Sequence, residues 1–115
     1  MAQSLTLLTL TVTASGAVAE RRFVGFDGAQ IAAAGARALG VSQYGQDDGK
    51  DLAVDVIGTT PVETGGAVAL TDELVADADG RAIANPGVGG EVVLADPLDT
   101  ASGAGEYIEV LLRRG

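Results

Sequence analysis

The feature that most constrains this chain is its punctuation. Asp-Gly occurs at Asp27-Gly28, Asp48-Gly49 and Asp79-Gly80, and Gly65-Gly66, Pro86-Gly87 and Gly89-Gly90 add further breaks. Asp-Gly favours tight turns because both residues tolerate positive φ. With Ser15-Gly16 ahead of them, turn signals recur about every ten residues, which leaves room for short strands and little for helices of ordinary length. The pattern predicts an all-β domain, either a small β-barrel or a β-sandwich of short antiparallel strands.

The first strand is the clearest. Leu8, Leu10 and Val12 alternate with Thr9, Thr11 and Thr13, the period of a pleated strand. Leu5 and Leu7 run in the opposite phase, which predicts a bulge or bend at Leu7-Leu8. Further strands are expected at 21–26, 36–43, 51–57, 67–70, 73–76, 81–84, 91–94 and 106–112. Leu52, Val54 and Val56 alternate with Ala53, Asp55 and Ile57, which reads as a half-exposed strand.

Only 29–40, AQIAAAGARALG, offers a helix: Asp27 as N-cap, Gln30 in a capping box and Gly40 as the stop. Gly35 would cost such a helix about 1 kcal/mol, and its alanine face would bury little. The segment is therefore expected to be a loop, or at most one short helical turn, leading into a strand at 37–43. No repeat and no linker divides residues 1–115, so they form one domain. An extended N-terminal strand or arm (1–14) precedes a turn-rich β body (21–112).

The N-terminal segment is not read as an address. It has an apolar run and Ala17-Val18-Ala19, but no Lys or Arg, and Thr interrupts the run at 6, 9, 11 and 13. It is also far short of the ~20 apolar residues of a membrane span. As a strand it has two possible roles, an arm reaching another molecule or a strand of the chain's own sheet.

Composition narrows the chemistry. With 115 residues, no Cys and no His, the chain lacks disulfides, thiolate or imidazole metal ligands, a cysteine nucleophile and a Ser-His-Asp triad. Twenty Ala and 17 Gly make the core thin, although Leu, Val, Ile and Phe at 27% are enough to fold. The net charge of −9 argues against nucleic acid as a partner. That charge is unevenly placed: residues 1–46 sum to +1 and residues 47–115 to −10. A near-neutral N-terminal part suits a buried or docked role better than a solvated one.

The acidic clusters do not make sites. Asp77-Ala78-Asp79-Gly80 opens like a calcium loop, but Arg81 and Ala82 follow and position twelve is Val88, so a solvated hairpin tip is expected. Asp47, Asp48 and Asp51 read as a charged turn; with four aromatics in the chain, little is available to stack a sugar beside them. Residues 65–84 have the rhythm of lipoyl or biotinyl carrier modules, but the tip is Asp79-Gly80-Arg81 and the single lysine is Lys50, elsewhere. No catalytic residue, cofactor or metal ligand is expected, and no enzyme. The paired bases Arg21-Arg22 and Arg113-Arg114 are candidates for contact with an acidic partner or neighbouring subunit, beside Leu8, Leu10 and Val12 as apolar contacts.

In order along the chain, RRFVGFDG, AAAGARALGVSQYG, DLAVDVIG, GGAVALTDELVADADGRAIA and DTASGAGEYIEVLLRRG resemble the small capsid decoration, or cement, proteins of tailed bacteriophages. The likeness spans most of 21–115. It implies a non-catalytic β module on the exterior of the virion capsid, binding the major capsid protein and stabilising contacts between its subunits. It also implies self-association there as a dimer or trimer, synthesis in the host cytoplasm without secretion, and no nucleic-acid or membrane partner. The alternatives are a β module that binds a host surface or glycan, and a carrier-type barrel lacking its lysine.

Overall fold

In the computed structural model, which describes residues 5–113, one long strand organises the molecule. The strands in chain order are β1 (Leu5–Thr13), β2 (Phe23–Val24), β3 (Gly40–Ser42), β4 (Asp51–Gly65), β5 (Leu74–Ala76), β6 (Ala82–Ala84), β7 (Ala95–Pro97) and β8 (Ala104–Leu112). The described residues contain no helix; 29–39 is a loop that leads into β3. β4 pairs antiparallel with β1 along its first half, from Thr13 opposite Asp51 to Leu5 opposite Thr59. Along its second half it pairs antiparallel with β8, from Leu111 opposite Thr59 to Ala104 opposite Gly65.

The pairings β4–β6, β6–β5, β5–β7, β7–β8 and β8–β4 return to their starting strand, so five strands close a small barrel. β3 and β2 extend the sheet from β4, with Val41 opposite Asp55 and Phe23 opposite Val41. Leu5–Thr13 of the N-terminal segment is thus a strand of the chain's own sheet, and residues 1–4 lie outside the described residues. The expected irregularity is present, since the register shifts between Thr6 and Leu8 and leaves Leu7 without a partner opposite.

β4 serves two cores. Its first half sends Leu52, Val54 and Val56 into a cluster with Ala14, Val18, Val24 and Leu39. Its second half sends Val62 into the barrel cluster with Phe23, Leu74, Ile108 and Val110, where Ala76, Ala82 and Ala95 fill the narrow remainder. The change happens at Gly58. Asp55 and Thr60 hydrogen-bond to each other, Thr60 Oγ1 donating to Asp55 Oδ2 at 2.7 Å. Five residues apart on an even pleat, they would face opposite ways. Gly58 lies between them at φ +107, with Leu5 O only 2.3 Å from where a Cβ would stand. A bend at Gly58 therefore lets one strand change faces, with no side chain in the way of β1.

Several expected strands differ. β4 continues eight residues past Ile57, because Gly58 makes a bend within the strand and does not end it. The 21–26 strand contracts to Phe23–Val24, because Arg21 sits at φ +55 and Gly25 begins a turn in which Gly28 N–H donates to Gly25 O. The 36–43 strand contracts to Gly40–Ser42. Residues 67–70 form no strand: Asp72 N–H returns to Ala69 O and Ala69 N–H donates to Asp72 Oδ2, a turn, leaving one bridge between Val68 and Ala101. In place of 91–94 the strand is Ala95–Pro97, because Val92 N–H is taken by Gly35 O across the loop. The Asp-Gly expectation stands at all three sites, with Gly28, Gly49 and Gly80 at φ between +78 and +83.

Candidate interaction surface

The N-terminal strand carries four exposed leucines. Leu5 and Leu7 are 70% and 73% exposed, and Leu8 and Leu10 are 41% and 40% exposed. Val12 is half-buried against the first cluster. Exposed residues continue this surface onto neighbouring strands: Ile57 lies opposite Leu8, and Leu111 shares Thr59 with Leu5. Of the apolar candidates from the sequence, Leu8 and Leu10 are therefore available for contact, and Val12 mostly fastens β1 to its own core. Leu5, Leu7, Ile57 and Leu111 were not among those candidates; the opposite phase of Leu5 and Leu7 was the available signal.

The paired arginines are engaged within the chain. Arg22 Nη2 lies 3.1 Å from Glu63 Oε1, and Arg22 Nη1 donates to Asp79 O. Arg113, just past the end of β8, lies between Asp96 and Glu73, which hold its guanidinium more firmly charged. Arg21 Nη1 is 3.8 Å from Asp55 Oδ2 and also reaches Thr60 Oγ1. Arg114 lies outside the described residues. Arg21, Arg22 and Arg113 tie loops and strand ends of this fold together.

Sequence reasoning missed Asp55. It is 1% exposed. Its Oδ1 accepts from Thr9 Oγ1 (3.0 Å) and Gln43 Nε2 (2.6 Å), while Oδ2 accepts from Thr60 and faces Arg21. A buried carboxylate is tolerated when charge and hydrogen bonds compensate its desolvation. This one binds β1, the segment after β3, both halves of β4 and the Arg21 loop into one polar node. It faces side chains, not a cleft, and is structural.

Other polar groups have local duties. Asp77 Oδ1 accepts from the Asp79 and Arg81 N–H groups, closing the β5–β6 turn. Asp48 Oδ1 accepts from Gly16 N–H, joining two turns. Among the described residues, no group of three or more Asp or Glu is placed to hold a metal ion. One open cleft of about 200 Å³ lies beneath the glycine-rich loop, floored by Val75 and Ile83 and walled by Pro86 and Val88. Its acidic member, Glu91, accepts from Val88 and Gly89 N–H and so holds the loop's shape. On β8 the Tyr107 phenol is pushed above its ordinary value of 10.0, first by partial burial, then by the Glu63 and Glu20 carboxylates.

The surface can thus offer apolar side chains and strand edge to another protein. A family model described as phage cement protein matches residues 2–113. Among solved structures, the N base of head fiber gp8.5 of bacteriophage phi29 is similar. It shares 17% identity and a TM-score of 0.75, and the match covers 94% of this chain and 95% of that one. At that identity the likeness is one of fold. A search of curated proteins gave no match.

Proposed function

Because the chain belongs to the phage cement protein family, we propose that it is a non-enzymatic virion component that binds the outer surface of the assembled capsid. There it stabilises contacts between major capsid protein subunits. The observation that carries this reading is the family match over residues 2–113, which takes in the whole barrel and the N-terminal sheet together. Physical features support it. The core is filled largely by valine and alanine, and a module bound to a repeated lattice gains stability from mass action and avidity that its own core need not supply. Apolar side chains exposed at β1 suit attachment to protein, and an acidic body facing outward limits aggregation at high local density. In this reading the protein is made in the bacterial host's cytoplasm and ends on the capsid exterior.

The test is to mix purified protein with undecorated shells. Saturable, stoichiometric attachment that raises the shell melting temperature is the expected result. Shells that bind none, or bind without any change in melting, would overturn the reading.

A further inference from the structure

β1 presents an open strand edge, and the structure says which backbone groups face it. Ala14 N–H donates to Lys50 O and Gly49 N–H donates to Ala14 O, so residue 14 turns inward, toward the β4 side. Ser15 N–H points the other way and donates to Gly28 O. In an antiparallel ladder successive residues alternate in this respect. Leu10 and Val12, opposite Val54 and Leu52, therefore bond inward, while Thr9 and Thr11 turn their N–H and C=O groups to the open side. Gly28 closes this edge at Thr13, whose carbonyl oxygen lies 2.2 Å from where a Gly28 Cβ would stand. Beyond Thr13 toward Leu5, β1 pairs with no strand except β4 among the described residues.

Proteins ordinarily blunt such an edge with lysine, proline or a very short strand. β1 runs nine residues with no charge and no proline. Charge also selects the occupant. Every acidic and basic residue of the chain lies at Glu20 or later, and the one acid of mid-β4 beside β1, Asp55, is buried against Arg21. Two copies each bearing −9 repel one another over most of their surfaces. β1 is where they can touch with no like charges opposed, whereas it has no charge with which to select an oppositely charged partner.

We propose that β1 pairs antiparallel with β1 of a second copy about a twofold axis at Leu10. Thr9 of each copy then meets Thr11 of the other through about four main-chain hydrogen bonds, the number two narrow pairs exchange. Thr–Thr is a favourable cross-strand pair, and the exposed Leu10 side chains meet at the axis. The interface is isologous, so it closes at two copies and occupies the β1 edge of both. The pairing belongs to the free protein and stands whether or not shells are bound.

The chain has no cysteine, so one introduced thiol can form a disulfide only between molecules. Leu10→Cys should cross-link under mild oxidation at least tenfold faster than Ala78→Cys on the exposed β5–β6 turn, because residues facing each other at such an axis have Cα atoms about 4.5 Å apart, within disulfide range. Sedimentation should show a dimer for the full-length chain. Thr11→Lys, on the open edge, should weaken it tenfold or more with an unchanged circular dichroism spectrum. A chain that sediments as a monomer at every concentration, or equal cross-linking at positions 10 and 78, would overturn the proposal. So would a free monomer whose attachment to shells is lost with Thr11→Lys, because the edge would then belong to the shell protein.

Discussion

Replacing Asp55 with alanine should cost about 3 kcal/mol of folding free energy. The figure follows from what each partner does once the carboxylate is gone. Thr9 and Gln43 sit at the rim of the node, where water replaces their lost acceptor, so each contributes about 1 kcal/mol or less. Thr60 is fully buried, and its hydroxyl loses its acceptor with no water to replace it, which costs roughly 1–3 kcal/mol. Arg21 is partly exposed and turns outward at small cost. The desolvation that native Asp55 bears is relieved, which offsets part of the sum. At about 4 °C per kcal/mol for a chain of this length, the melting temperature should fall by roughly 12 °C. Urea titration followed by circular dichroism measures the free energy directly. The double variant Asp55→Ala/Thr60→Val isolates the cause: removing the orphaned hydroxyl should return about 1 kcal/mol, so the two changes are not additive. A loss below about 1 kcal/mol for Asp55→Ala, or strict additivity with Thr60→Val, would refute the account of the node.

Two other perturbations address different parts of the molecule. Gly58→Ala forces a side chain into a φ of +107 and against Leu5 O, which should cost about 2–3 kcal/mol. Hydrogen exchange should localise that loss to β1 and the first half of β4 while β5–β8 stay protected. Tyr107 should titrate above 10.0 in a spectroscopic measurement at alkaline pH, and Glu63→Gln should lower its midpoint by removing a carboxylate that disfavours the phenolate. Because its folded pKa is raised, Tyr107 contributes stability that is intact below pH 10 and is lost as pH rises through the folded value; Tyr107→Phe should flatten that alkaline slope.

What the sequence disclosed was local. The Leu/Thr alternation of β1 and the phase change at Leu7-Leu8 are properties of adjacent residues, and both appear in the structure. The Asp-Gly turns are equally local, since φ tolerance belongs to the dipeptide itself. Gly58 resembled the other glycines, but whether it bends a strand or ends one is decided by Leu5, 54 residues from the paired Thr59. Asp55 looked like the solvent face of an alternating strand, because its partner Thr9 lies 46 residues away and Arg21 approaches from a loop. The paired arginines looked free for the same reason, as Glu63 and Glu73 reach them only in three dimensions. Of the candidate surface, the leucines of β1 were legible as apolar, but their exposure was not, because alternation alone leaves open which side is covered.

The division of β4 between two clusters also sets an order of events. Its first half needs β1, β2 and β3, all of which precede it in the chain, so that cluster can condense as soon as residue 56 is available. Its second half waits for β8, the last of the eight strands, and until then the lower part of β4 has only β6 and an unclosed sheet. Such distant pairings make β-proteins slow folders, on the scale of milliseconds to seconds. During synthesis the seam between β4 and β8 is thus a clasp that can be fastened only once the last of these strands has emerged.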